Sequence, residues 1–253
     1  MCSEVCKLQL TVLGCHSPYP PIDGAGPGYL LTAGEVRVLL DCGSGVVSKL
    51  GQYMDVRRGD LAAVVLSHLH ADHFCDLLVL RYARMLGMAR GVATALSVYC
   101  PAEPVVERAV IPFREVLAVH HIDEQFRFGL GAMNFSFYRT KHVYPCYAVR
   151  VEAGRSSLVY TGDTEWDEGL VEFAARADVL LAEASFTEQG KGENLAQHMS
   201  ARECGLLAEQ ARVGKLILTH LPPHGDSAEL LAEARAAFCG EVILAYSGLK
   251  LEW

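Results

Sequence analysis

No run of this sequence is apolar for long enough to cross a bilayer. Hydrophobic stretches such as residues 61–66 are short and strand-like, whereas a spanning helix needs ~20 apolar residues. Met1 to Lys7 contains no charged segment leading into an apolar core, so no secretory signal is expected. Positive charge is scarce as well: 22 Lys and Arg stand against 30 Asp and Glu, a net of −8. Proteins that grip long polynucleotides take most of their affinity from neutralising phosphates, so a long nucleic acid is not the expected partner. Low-complexity tracts, charge runs and Pro/Ser-rich linkers are absent too. With 51% hydrophobic and 21% charged residues, the chain has enough apolar surface to fold rather than stay disordered.

The nine cysteines follow no repeating spacing, and their number is odd, which argues against a disulfide framework. Cys100, Cys146 and Cys239 sit in apolar segments and read as small buried thiols. Cys2 and Cys6 are spaced as a thiolate pair, but no second pair follows. The pattern suits a reducing cytoplasm, which is the expected location. The stretch from Gly14 to Gly28 holds four Pro and four Gly, too many breakers for a regular element. A loop of that length in a compact domain is often functional.

Hydrophobic periodicity predicts strands at 8–13, 29–32 and 36–40, a helix at 45–54, and a buried strand at 61–67. A helix is predicted over 72–88, a strand over 96–100, and a helix over 104–117. The second half repeats this grammar: strands at 133–140, 146–152 and 157–160, then helices at 168–176, 200–211 and 227–238 alternating with strands at 179–183, 216–219 and 242–244. Two such halves can pack sheet to sheet. The expected fold is therefore α/β: a single domain over 1–253, with pseudo-repeat halves of about 1–130 and 131–253, forming a four-layer αββα sandwich of two mixed sheets with helices outside.

Imidazole and acidic side chains recur where predicted strands end: His68, His70, Asp72 and His73 after the fourth strand, then His142, Asp163 and His220 after later ones. Strand ends along one sheet edge are where α/β proteins gather reactive groups. In extended chain, residues two apart point the same way, so His68 and His70 can hold one ion together. Asp72 and His73 open the next helix and can turn towards a second ion, and a carboxylate between two ions can bridge them. Nitrogen and carboxylate donors without thiolate suit two Zn2+ ions, with Mn2+ or Fe2+ as alternatives. His16, His120, His121 and His224 stand alone and read as ordinary surface or hydrogen-bonded residues.

The run Val64-Val65-Leu66-Ser67-His68-Leu69-His70-Ala71-Asp72-His73 resembles the signature of the metallo-β-lactamase superfamily. The likeness continues through Leu40-Asp41-Cys42-Gly43-Ser44-Gly45, Thr140-Lys141-His142, Tyr160-Thr161-Gly162-Asp163-Thr164 and Leu218-Thr219-His220-Leu221. The resemblance implies that His68, His70 and His142 hold one ion and Asp72, His73 and His220 the other, with Asp163 bridging. Asp41 would support the site from behind. The resemblance also implies which branch is excluded. True β-lactamases of this fold are exported and usually lack the bridging Asp, and the flavodiiron branch has Glu where this chain has His70.

Ala182-Glu183-Ala184-Ser185-Phe186, followed by Gln197-His198-Met199-Ser200-Ala201-Arg202-Glu203, looks like the phosphodiesterase branch, which contains tRNA 3′-end endonucleases and small cyclic-phosphate diesterases. By that likeness Glu183 orients His198, and His198 is the general acid. Ser200 and Glu203 also read as a capping box, compatible with that role. The tRNA enzymes carry an extra arm between the ligand His and the bridging Asp. Here that interval holds two strands and leaves no room for an arm. The expected protein is therefore a dinuclear-metal hydrolase, a phosphodiesterase acting on a small or cyclic phosphodiester through a metal-bridging hydroxide. His198, Glu183 and Asp72 are the expected catalytic residues. A carbonyl-ester hydrolase of thioesterase, lactonase or glyoxalase II type on the same site is the alternative. An RNA-processing nuclease and a non-catalytic metal-binding protein rank behind it, and a homodimer stays open. His16, Ser17, Tyr19 and Tyr144 are placed as candidate pocket walls.

Overall fold

The computed structural model describes residues 7–192, 197–225 and 227–253. Cys2 and Cys6 lie outside them. Strands that are apolar on both faces need cover on both sides, and the chain provides it with two mixed seven-stranded sheets. The first sheet takes β1 (Leu8–Gly14), β2 (Gly28–Ala33), β3 (Val36–Leu40), β4 (Leu61–Val65), β5 (Leu96–Pro101) and β6 (Leu117–Ile122). The second takes β7 (Phe128–Leu130), β8 (Met133–Arg139), β9 (Tyr147–Ala153), β10 (Ser156–Tyr160), β11 (Val179–Glu183), β12 (Lys215–Thr219) and β13 (Glu241–Leu244). The last strand, β14 (Lys250–Glu252), returns to pair with β1. Each sheet begins with antiparallel neighbours and turns parallel, from β3 onward in the first and from β10 onward in the second.

Helices α1 (Val46–Leu50), α2 (Ala71–Phe74), α3 (Leu77–Ala89) and α4 (Val105–Ala109) follow strands of the first sheet. Helices α5 (Glu168–Phe173), α6 (Glu188–Gly192), α7 (Ala201–Ala211) and α8 (Ser227–Ala237) follow strands of the second. Side-chain alternation sorts the layers. Leu39 and Val64 pack with Val46 and Leu50 of α1 and Leu77 and Leu80 of α3. Their chain neighbours Val38, Leu40, Ala63 and Val65 join the opposite cluster with Phe135, Phe137, Val149, Val151 and Tyr160 of the second sheet. A one-residue slip of β3 or β4 would exchange these sets and empty both layers, so the register is strongly specified.

Two predicted helices depart from the periodicity, each for a local reason. The expected helix over 72–88 is broken between α2 and α3. The Asp76 N–H donates to the carbonyl of Cys42 at 3.0 Å, while the Asp76 carboxylate accepts from the Val47 N–H at 2.9 Å. Asp76 is thus diverted to hold the loop after β3. The expected helix over 104–117 stops at Ala109, because Pro112 has no N–H to continue it. The chain then turns into the edge strand β6, which begins only at Leu117 and whose exposed His120 and His121 blur the strand pattern. Cys239, expected to be buried, is exposed just past α8, whereas Cys100 and Cys146 are buried as expected.

The loop after β3 is packed tightly against α2. The Cys42 N–H donates to the His73 carbonyl at 2.7 Å. A Cβ on Gly43 would overlap the carbonyl oxygen of Asp72, so only glycine fits there. Gly43→Ala is expected to destabilise the fold by about 1–3 kcal/mol, the usual cost of overpacking. Denaturant unfolding at wild-type stability would show that this contact is slack.

Candidate metal centre

The strands deliver their C-terminal ends to one edge of the sandwich, and the predicted ligands converge there. His68 Nε2, His70 Nδ1, His142 Nε2 and one Asp163 oxygen form one group, and Asp72, His73 and His220 form a second. Within each group the donor atoms lie within 4.8 Å of one another. His70 Nδ1 stands 2.9 Å from His68 Nε2 and 3.1 Å from His142 Nε2. Asp163 lies between the groups. Its Oδ2 is 3.5 Å from His68 Nε2 and 3.9 Å from His142 Nε2, while its Oδ1 is 3.2 Å from His220 Nε2 and 3.5 Å from His73 Nε2.

Neighbouring groups settle which nitrogens carry protons. Asp41, fully buried at the end of β3, accepts from the Ser67 N–H at 2.7 Å and from Tyr160 OH at 2.7 Å. It also accepts from His73 Nδ1 at 2.8 Å, so Nε2 is the nitrogen of that ring left to face a cation. His142 Nδ1 donates to the Gln197 carbonyl at 3.1 Å, which leaves its Nε2 bare. Several lone pairs therefore face each other and a buried carboxylate. Asp163 Oδ1 is buried and receives no hydrogen bond. Such an orphaned oxygen normally needs an explanation. A cation within each group supplies one, and the nitrogen–carboxylate donor sets fit Zn2+.

The electrostatics agree. Burial pushes the His68, His70 and His142 pKa values down, and adjacent imidazoles add to the shift. Burial would also lower His73, but Asp163 and Asp41 outweigh it and raise that ring to about 10. Burial would raise Asp163, yet the surrounding His220, His73 and His68 hold it well below the usual carboxylate range. The acidic groups thus demand positive charge at this spot, and a bound cation is one way to meet that demand.

Backbone strain marks the same edge. Asp41 has φ 55° and His220 φ 58°, both left-handed and both directly after a strand. Non-glycine residues in that region cost on the order of 1–3 kcal/mol each and persist only where the surroundings over-determine them. Here the turn aims the side chain back over the strand end.

Glu183, fully buried at the end of β11, accepts from His198 Nδ1 at 2.9 Å and from the Thr164 and Met199 N–H groups at 3.1 Å each. His198 Nδ1 is 3.9 Å from Asp163 Oδ2, and its ring stacks on His220 with centroids 5.2 Å apart. Burial would depress His198, but the charge and hydrogen bond of Glu183 carry it up to about 9. Ser200 and Glu203 form the expected capping box on α7. Of the candidate pocket walls, Ser17 donates to Asp72 Oδ2 at 2.7 Å and Tyr144 lies 4.4 Å from the His70 ring. Tyr19 pairs instead with His224, centroids 6.0 Å apart, and His16 makes a bridge to Leu221. Sequence reasoning gave no part to Tyr160 or to the serines at 67 and 185. The thiols of Cys15, Cys42 and Cys146 are buried with raised pKa values, and none belongs to the donor groups.

A family model described as a beta-lactamase superfamily domain matches residues 36–221. The chain is similar to the probable metallo-hydrolase YhfI of Bacillus subtilis, 34% identical over 97% of this chain and all of that protein. The crystal structure of YhfI superposes with a TM-score of 0.92 at 33% identity, covering 98% of this chain and 100% of that one. The chain is also 30% identical to a ribonuclease Z of Mycobacterium bovis, over 93% of this chain and 94% of that protein. A diphosphatase of the PhnP family shares the fold at a TM-score of 0.75 and 20% identity, over 98% of this chain and 97% of that one.

If Asp163 serves both donor groups, Asp163→Ala should lower bound zinc from about two ions per chain to below one. It should also remove the rise in melting temperature expected of the wild type with saturating Zn2+, ~2.7 kcal/mol at a hundredfold excess over Kd. Elemental analysis showing unchanged zinc would refute the bridging role.

Proposed function

The chain belongs to the metallo-β-lactamase superfamily, and on that premise we propose that this hydrolase is a phosphodiesterase acting on a small or cyclic phosphodiester. The observation that carries the reading is the buried Glu183 bound to His198 at 2.9 Å beside Asp163. Alkoxide is a poor leaving group and needs a proton, whereas a thiolate leaves a thioester unaided. A histidine held protonated beside the donor groups is therefore machinery that phosphodiester cleavage needs and thioester cleavage does not.

His68, His70 and His142 would hold one cation and Asp72, His73 and His220 the other, with Asp163 shared. Two divalent cations there, Zn2+ best and Mn2+ or Fe2+ as alternatives, would supply Lewis acidity and water ionised near neutral pH. The chain's own part is orientation and proton transfer. Asp41 fixes the His73 ring and Ser17 fixes Asp72. Glu183 holds the Nδ1–H of His198, which leaves Nε2 to give a proton to the departing oxygen. Because Glu183 raises His198 to about 9, that ring carries its proton at neutral pH and loses it as pH rises past that value.

Two features favour a small substrate. β9 and β10 form a hairpin with only residues 154–155 between them, so nothing projects between His142 and Asp163 to grip a larger partner. Three basic side chains are already paired: Lys141 with Asp167 at 3.4 Å, Lys191 with Glu203, and Arg202 with Glu188 at 3.8 Å. Two of the similar proteins are called a ribonuclease and a diphosphatase, names that both denote cleavage at phosphorus. The free state of all seven described cysteines fits the expected cytoplasmic location.

His198→Ala is expected to cut kcat on an alkyl phosphodiester by about 10²–10⁴ while zinc content stays at the wild-type level. The loss should shrink on a nitrophenyl diester, whose leaving group needs less help. Wild-type turnover of the alkyl diester by this variant would remove His198 from the mechanism. A panel of phosphodiester, phosphomonoester, lactone and thioester on one metal-assayed preparation tests the reaction class. Turnover of the thioester or lactone alone would overturn it.

A further inference from the structure

Two of the three buried carboxylates at the site, Asp41 and Glu183, are wired alike. Asp41 binds one histidine directly, His73, and reaches a second through a serine: Ser67 Oγ donates to Asp41 Oδ2 at 2.9 Å and lies 3.1 Å from His68 Nδ1. Glu183 binds His198 directly and also reaches a second ring through a serine. Ser185 Oγ donates to Glu183 Oε2 at 2.8 Å and lies 2.8 Å from His220 Nδ1. One carboxylate stands at the end of β3 and the other at the end of β11, so each sheet carries one such assembly.

Proton counting decides what the serine does. A hydroxyl has one hydrogen, and an ionised carboxylate can only accept. The Ser185 hydrogen is therefore committed to Glu183, and its oxygen lone pairs face His220. That ring must then carry a proton on Nδ1, so that in its neutral form Nε2 is bare. The bare nitrogen is the one 3.2 Å from Asp163 Oδ1 and 3.2 Å from His73 Nε2. The left-handed backbone of His220 fixes the direction of its side chain but not which nitrogen is protonated.

We infer that Ser185 is a positioning residue that ties His220 to Glu183, so that one buried carboxylate governs both the general acid and the second cation's ligand. The inference rests on the two-cation reading above and deepens it. Glu183 accordingly serves two tasks that can be separated by mutation. His198→Ala removes the acid and leaves the Ser185 link intact. Ser185→Ala removes the link and leaves the Glu183–His198 bond intact. Glu183→Gln disturbs both.

Zinc titration against a chromophoric chelator tests this without any substrate. Wild type should show two binding steps. Ser185→Ala should weaken one step about 10–100-fold, the usual effect of losing a partner behind a metal-bound histidine, and leave the other unchanged. Ser67→Ala should weaken the other step, and Ser185→Thr, which keeps the hydroxyl, should restore the first. Long-range 15N–1H spectra of the zinc-loaded wild type should place the His220 proton on Nδ1. Two steps of wild-type strength in Ser185→Ala would overturn the inference. Equal losses in Ser185→Ala and Ser185→Thr would also overturn it, as would a His220 proton on Nε2, which needs no variant to fold. Fewer than two zinc ions on the wild type would fail the two-cation reading, while the His220 spectrum would still decide the tautomer.

Discussion

Asp163 and the ring nitrogens around it are held together against their own electrostatics. Its two oxygens face His68 and His142 on one side and His73 and His220 on the other, at 3.2–3.9 Å. The protons of three of these rings are engaged elsewhere, with Asp41, Ser185 and the Gln197 carbonyl. Lone pairs do not collect around a carboxylate unless a rigid frame forces them or positive charge rewards them. The frame is plain in this chain. Strand ends of two sheets set the frame, left-handed turns at Asp41 and His220 aim it, and buried acceptors lock each ring.

The same bonds fasten the sheets to each other. Tyr160 on β10 donates to Asp41 after β3, and Tyr29 on β2 shares a 2.6 Å hydrogen bond with Thr219 on β12. These polar links run through the layer where Leu40, Val65 and Phe137 supply non-directional packing. Apolar burial holds the sheets together but tolerates sliding, whereas hydrogen bonds of fixed length do not. The polar seam thus adds fixed distances between the sheets to the strand register that side-chain alternation already specifies. A binding event at the seam acts on the association of the two sheets, so ligand affinity and fold stability are linked there.

Most of the fold and the donor set could be read from the chain, for identifiable reasons. His68, His70, Asp72 and His73 stand within six residues, where strand and helix geometry alone predict which side chains converge. His142, Asp163 and His220 were legible because each follows a recognisable strand. Resemblance supplied the pairing of Glu183 with His198, which sit fifteen positions apart. What stayed hidden was long-range and made of ordinary residues. Ser17 meets Asp72 across 55 positions, and Tyr160 meets Asp41 across 119. A serine or tyrosine carries no mark of such a partner in the sequence. The division between α2 and α3 was hidden likewise, because Asp76 leaves the helical pattern for a bond to the β3 loop that periodicity cannot register.

Three of the buried thiols, Cys15, Cys42 and Cys146, bear on how such a centre would age. Burial pushes Cys15 up to about 12, and Cys42 and Cys146 are raised well above the free thiol range. They stay neutral and do not compete with nitrogen and oxygen for a cation. A centre built without sulfur is not emptied by peroxide or by disulfide exchange, which strip thiolate sites. Its occupancy would answer instead to acidity and to chelators, which makes proton concentration, rather than oxidant exposure, the natural dial on its loading.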